Sequence, residues 1–215
     1  WGAIICFVVV MGGLLGGGFA ARERVAPYPG TVVDPAGTIL FTRADILAGQ
    51  DVYQRYGLMD HGSVWGHGSQ RGTEFSAVTL HEWGKAVQAA LASAEYGKPV
   101  EALGAVERQV VDARVAAEMK SNRYEKATDT LRLSAVQAAS LDTILGLWEH
   151  SFGAGDPRYG FMANTVPTPE ERRQVGRFFV WTAWAAVVNR PGEDYSFTNN
   201  WPPDTLVGNS PTPET

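Results

Sequence analysis

Uncharged, mostly apolar residues run unbroken from Trp1 to Ala21 and stop at Arg22-Glu23-Arg24. A run of this length suits a membrane span, which takes about 20 apolar residues. A secretory signal has a shorter apolar core followed by a small-residue cleavage site, so the expectation is an anchor over residues 1–24. Gly12, Gly13 and Gly16 to Gly18 would let another helix approach closely. Taken alone, Arg22 and Arg24 favour the cytoplasmic side of such a span.

Beyond the run the pattern changes period. Pro27 and Pro29 make a stiff exit, then Thr31–Val33 and Thr38–Phe41 are β-branched runs around the turn sequence Asp34-Pro35-Ala36-Gly37, which predicts a hairpin. Helical spacing follows: from Arg43 to Tyr56 with Thr42 as cap, and from a capping box Thr79-x-x-Glu82 to Tyr96, with Leu80, Trp83, Val87 and Leu91 on one face and Gly97 and Pro99 ending it. Another helix fits 101–121, with a short strand near 128–133. Ser134 caps a helix carrying Leu141, Ile144, Leu145, Trp148 and Phe152. Thr168-Pro169-Glu170-Glu171 is the clearest helix start, combining a capping Thr, Pro in the first turn and early acids. That helix holds the apolar run Phe178 to Val188, eleven residues, too short to cross a bilayer and therefore core or interfacial. From Asn189 onward the sequence reads as loop. The fold class expected is mainly α, with one N-terminal transmembrane helix (1–24), a helical domain with a short β-hairpin (25–194), and a loop (195–215) that would lead on to a membrane bundle.

Composition narrows the function. With 215 residues and 45% hydrophobic content including seven Trp, the chain can fill a core of its own. The net charge of −5 without a Lys/Arg cluster argues against nucleic acid as a partner. The one cysteine, Cys6, lies in the apolar leader, so the rest has no disulfide, thiolate nucleophile or cysteine metal site.

Residues 49–81 carry the most informative chemistry, and they do so by what is replaced. A helix ending in Val52, Tyr53 and Tyr56 leads into a Gly-rich loop over 57–73, where a c-type cytochrome places Cys-x-x-Cys-His. Here the five residues are Leu58, Met59, Asp60, His61 and Gly62, with neither thiol nor axial histidine, so covalent haem is excluded. A cytochrome-like fold without haem must fill the vacated volume, because cavities cost about 24 cal/mol per Å³. Tyr56, Trp65, Phe75 and Trp83 surround the region; Trp65 is the first candidate filler, with Trp148, Phe178 and Trp181 closing from other helices. Met59, Met119 and Met162 read as packing residues once haem is absent. His61, His67 and His81 fall within 21 residues, and imidazoles suit zinc or copper. Their spacing matches no recognised ligand pattern, and no acid stands obviously beside them, which leaves loop histidines bonded to carbonyls as the plain reading. Asp60, His61 and Ser63 lack the strand–turn–helix elbow of a nucleophilic triad, and Gly66-x-Gly68 lacks the third Gly and the Lys of a phosphate loop.

Several rare strings occur together in order: Arg22-Glu23, Thr38-Ile39-Leu40-Phe41-Thr42, Gly49-Gln50-Asp51-Val52-Tyr53, Ser63-Val64-Trp65-Gly66-His67-Gly68, Phe75-Ser76-Ala77, Leu80-His81, Phe178 to Ala186, Asn189-Arg190-Pro191-Gly192, Thr198-Asn199-Asn200-Trp201-Pro202 and Leu206-Val207-Gly208-Asn209. In these the chain resembles the N-terminal part of quinol-dependent nitric oxide reductases of the haem-copper oxidase superfamily. The resemblance implies a fused cytochrome c-like domain that has lost its haem. That domain would sit on the periplasmic or extracellular face of the cell membrane, above a catalytic bundle holding haem b, haem b3 and a non-haem iron. No catalytic residue is expected in this segment, whose role would be structural in a denitrification enzyme. Electrons would reach haem b directly from membrane quinol. The resemblance also implies a structural calcium held in part by the Gly68 carbonyl; where the family often has a Tyr two positions on, this chain has Gln70, which offers an amide oxygen. The bundle belongs either to the same polypeptide or to a separate one that docks with this chain. A relative that dismutates NO, a membrane-anchored metal- or small-ligand-binding module, and a scaffolding domain remain as alternatives.

Overall fold

In the computed structural model, residues 1–22 and 24–213 are described; Glu23 of the Arg22-Glu23 string lies outside them. The first helix, α1 (Gly2–Arg22), stands apart, and the large apolar side chains between Ile4 and Phe19 are exposed. Its window Gly2–Phe19 is long and apolar enough to cross a membrane. The hairpin forms as expected: β1 (Thr31–Val33) pairs antiparallel with β2 (Ile39–Thr42), and Asp34 closes the turn by accepting from the Thr38 N–H at 2.8 Å. The hairpin does not stand alone. β1 also pairs in parallel with β7 (Thr130–Arg132), which pairs antiparallel with β6 (Tyr124–Glu125), giving a four-stranded sheet in the order β2-β1-β7-β6. Sequence alone offers no signal for a pairing across about a hundred residues.

α2 (Arg43–Arg55) begins where its cap places it, with Thr42 and Asp45 bonding reciprocally. α3 (Leu58–His61) and three short strands, β3 (Gly62–Val64), β4 (His67–Gly68) and β5 (Thr73–Glu74), occupy the 57–73 loop as a small sheet in the order β4-β3-β5. α4 (Phe75–Tyr96) starts four residues before the expected capping box. The Glu74 side chain caps it by accepting from the Ala77 N–H. Thr79 is fully buried inside the helix, where its hydroxyl donates to the Phe75 carbonyl at 2.7 Å and accepts from the Trp148 indole at 3.0 Å. A cap is a geometric role, and the Glu74 carboxylate, one residue before the helix, reaches an orphan N–H of the first turn, the role that Thr79 was expected to serve further on.

α5 (Ala105–Lys120), α6 (Ala135–Gly153) and α7 (Pro169–Val187) complete the domain, with a short 3₁₀ turn at Val100–Ala102. Ser134 and Thr168 cap α6 and α7 as expected. α7 packs against α2, α4 and α6, and every residue from Phe178 to Val187 is buried, so it is a core helix rather than an interfacial one. Gly49 makes its closest approach possible, since a Cβ there would lie 2.1 Å from the Gln174 carbonyl oxygen. Residues 196–209 pack back onto this core. Asn209 donates to the Ala186 carbonyl at 2.9 Å, and the Lys120 ammonium donates to the side-chain oxygens of Asn200 and Asn209 at 3.1 and 2.9 Å. Burial there lowers the Lys120 pKa from its ordinary value.

Candidate functional site

Leu58 to His61 form α3, and Gly62 is the first residue of β3. Leu58 is fully buried, while Met59, Asp60 and His61 face outward. Gly62, where the sequence led one to look for an axial histidine, is extended at φ −175°, so its need for glycine is steric rather than conformational. A Cβ added there would sit 2.1 Å from the Thr73 carbonyl oxygen and 2.6 Å from the Phe75 ring. No side chain fits there.

Phe75 is the centre of the aromatic core. Its ring stacks on Phe179 at 4.6 Å and on Phe161 at 5.9 Å, with Trp148, Tyr53 and Phe152 within 6.3 Å. Trp148, Phe152 and Phe179 are fully buried, and Phe178 and Trp181 nearly so, so three of the expected closing residues do line the core. Trp65 sits at its edge: it is partly buried and packs against the core from a tight turn between β3 and β4. Phe161 is a filler that sequence reading missed; it lies in a Gly- and Pro-rich stretch without periodicity. Met119 is fully buried as a packing residue should be, whereas Met59 and Met162 are exposed, being on surface segments.

Trp65 and Gly66 both have positive φ, 53° and 76°, as a two-residue hairpin turn of the favoured twist requires. Such a conformation is strained for a bulky residue. The surroundings hold it: the Trp65 indole donates to the Thr182 carbonyl at 3.0 Å, and its backbone N–H donates to the Ser76 hydroxyl at 3.3 Å. Glu74 lies just behind, partly buried, accepting from the Ser76 hydroxyl at 2.7 Å, and burial raises its pKa above the ordinary value. Tyr53, whose hydroxyl is buried without a partner, is pushed up to about 12 by the same cause.

The turn overlooks a cleft of about 680 Å³ lined by Arg24, Val25, Ala26, Trp65, Arg190 and the 195–199 loop. A second cleft of about 390 Å³ continues past Trp65 to His67 and Trp201. Sequence reading singled out Trp65 but not Arg190 or Phe197, which lie in loops that only the fold brings to it.

The histidines do not converge. His61 and His67 are exposed, and His81 bonds Asp204 at 2.8 Å across 123 residues, an acidic partner invisible in the sequence. Among the described residues no group of three His, Cys, Asp or Glu could hold a metal ion. Gly68 and Gln70 are both exposed and offer only two neutral oxygens. Calcium takes six to eight oxygen ligands, so these two fit such an ion only as a minority share of a site completed from elsewhere.

No curated protein matches the chain. The family of NorB cytochrome c-like domains, which are parts of nitric oxide reductase, matches residues 29–203, from Pro29 to the Trp201-Pro202-Pro203 loop. That span includes helices α2 to α7, the 57–73 loop and the Trp65 turn, and the chain belongs to this family.

Proposed function

We propose that the chain is the anchor and haemless extracytoplasmic cap of a membrane quinol:nitric oxide oxidoreductase that runs 2 NO + 2 e⁻ + 2 H⁺ → N₂O + H₂O. The family match carries this reading. The packing at Gly62 supports the haemless part, since the axial position admits no side chain. In this reading α1 lies in the bilayer beside a catalytic bundle, and its Gly12, Gly13 and Gly16 to Gly18 leave open space on which a neighbouring helix can seat. The bundle supplies haem b, haem b3 and non-haem iron, and electrons come from quinol to haem b without a c haem in between. This chain's residues exclude water from the bundle's outer face and hold no reacting group. Gly68 and Gln70 would contribute two oxygens to a calcium at the join.

The test is a reduced-minus-oxidised optical spectrum and an intact mass on the protein purified in detergent from its native membrane. A b-type haem signal travelling with the chain is expected, and the mass tells one polypeptide from two. A homogeneous, intact preparation without haem overturns the reading and favours a membrane-anchored binding module. Under anaerobic NO, N₂O is the expected product; N₂ with O₂ would instead mark a dismutating relative.

A further inference from the structure

We propose that the cleft between the end of α1 and the Trp65 turn binds the phosphate headgroup of a membrane phospholipid. The inference rests on α1 spanning a bilayer and not on the reaction of the whole protein. Depth comes first. The 21 residues of α1 extend about 31 Å at 1.5 Å per residue, close to the roughly 30 Å of a hydrocarbon core. Arg24 follows two residues later, at most about 7 Å further along the chain. The headgroup layer is roughly 5–8 Å thick on each side, so Arg24 falls within it.

The exit from α1 is fastened to the domain, which brings the cleft to the same depth. Trp181 donates from its indole to the Pro27 carbonyl at 2.9 Å and stacks on Tyr28 at 4.0 Å. Trp65 leans on the same Trp181 ring at 5.3 Å. Arg24 and Trp65 therefore stand on one base.

Chemistry then selects the ligand. Arg190 is half-buried in the opposite wall. Its Nη2 donates to the Phe197 carbonyl at 2.7 Å, and its guanidinium lies over the Tyr195 and Phe197 rings at 5.3 and 5.8 Å. Its buried Nε has no hydrogen-bond partner. Among the described residues no carboxylate lies within ion-pair distance of Arg24 or Arg190. Two guanidinium groups set among a Trp, a Tyr and a Phe match a phosphodiester above and glycerol and acyl carbons below. Trp and Tyr also favour this depth in their own right. A phospholipid is the phosphodiester present at that level in every position around the protein.

The experiment uses the full chain purified in detergent and stripped of lipid, then offered phosphatidylglycerol or a monoglucosyl diacylglycerol with the same acyl chains. Lipid retained per chain is read by native mass spectrometry. Phosphatidylglycerol is expected to be held about tenfold more tightly than the phosphate-free glycolipid, and Arg24→Gln to lose about tenfold in that retention. Arg24 is exposed, so this variant should melt like the parent; Arg190→Gln is the second variant, with its melting curve as control. Equal retention of the two lipids, or equal retention by parent and Arg24→Gln, overturns the proposal. Displacement by millimolar inorganic phosphate would assign the cleft to a soluble oxyanion and overturn it too. Loss of a co-purifying haem protein in Arg24→Gln with lipid retention unchanged would make this a protein-docking face, again overturning it.

Discussion

Two single residues in and beside the 57–73 loop can be tested directly. At Gly62 the Thr73 carbonyl and Phe75 ring leave no room for even a methyl group. Gly62→Ala should therefore destabilise the domain by about 1–3 kcal/mol or more, the usual cost of overpacking. Denaturant melts of parent and variant check it; a change under about 0.5 kcal/mol would mean that the loop relaxes freely and is not locked by packing. Glu74 behaves differently because it is ionisable. Its pKa in the fold lies above the ordinary value, with burial as the largest cause. The protonated form is thus the one the fold favours. Its contribution is fully present below the unfolded value of about 4.3 and is lost as pH rises through the higher folded value. Glu74→Gln should gain in melting temperature relative to the parent as pH rises from about 4 to about 8. A gap that stays constant over that range would show that Glu74 titrates as it does in the unfolded chain.

At the scale of elements, local rules placed most helix starts correctly. Thr42, Ser134 and Thr168 each cap the helix they were expected to cap, because each is followed by a third residue that completes or accommodates the cap. Thr79 satisfied the same rule and is not a cap. Its hydroxyl is recruited by Trp148 from α6, a tertiary partner 69 residues away. Thr79→Val keeps the shape but strands the buried Trp148 indole N–H, and should cost about 1–3 kcal/mol. Glu82→Ala, at a partly exposed site paired with Lys85, should stay within about 0.5 kcal/mol. The reverse order of effects in chemical denaturation would restore Thr79-x-x-Glu82 as the true helix start.

For the whole molecule, the sequence by itself determined the separation of an apolar span from a helical domain, the hairpin, the approximate helices and the absence of a Cys-x-x-Cys-His motif. These follow from local information: run length, period, caps and the identity of five consecutive residues. The tertiary structure decided what those pieces do together. It joined the hairpin to β7 and β6, centred the aromatic core on Phe75, and set Trp65 at the core's edge on a strained turn above a cleft. It also brought Arg190 and Phe197 to the end of α1 and Asp204 to His81. The physical reason is the same in each case. A side chain's partner across the fold is set by how helices and loops pack over tens of residues, and neither periodicity nor spacing records which two distant residues will meet.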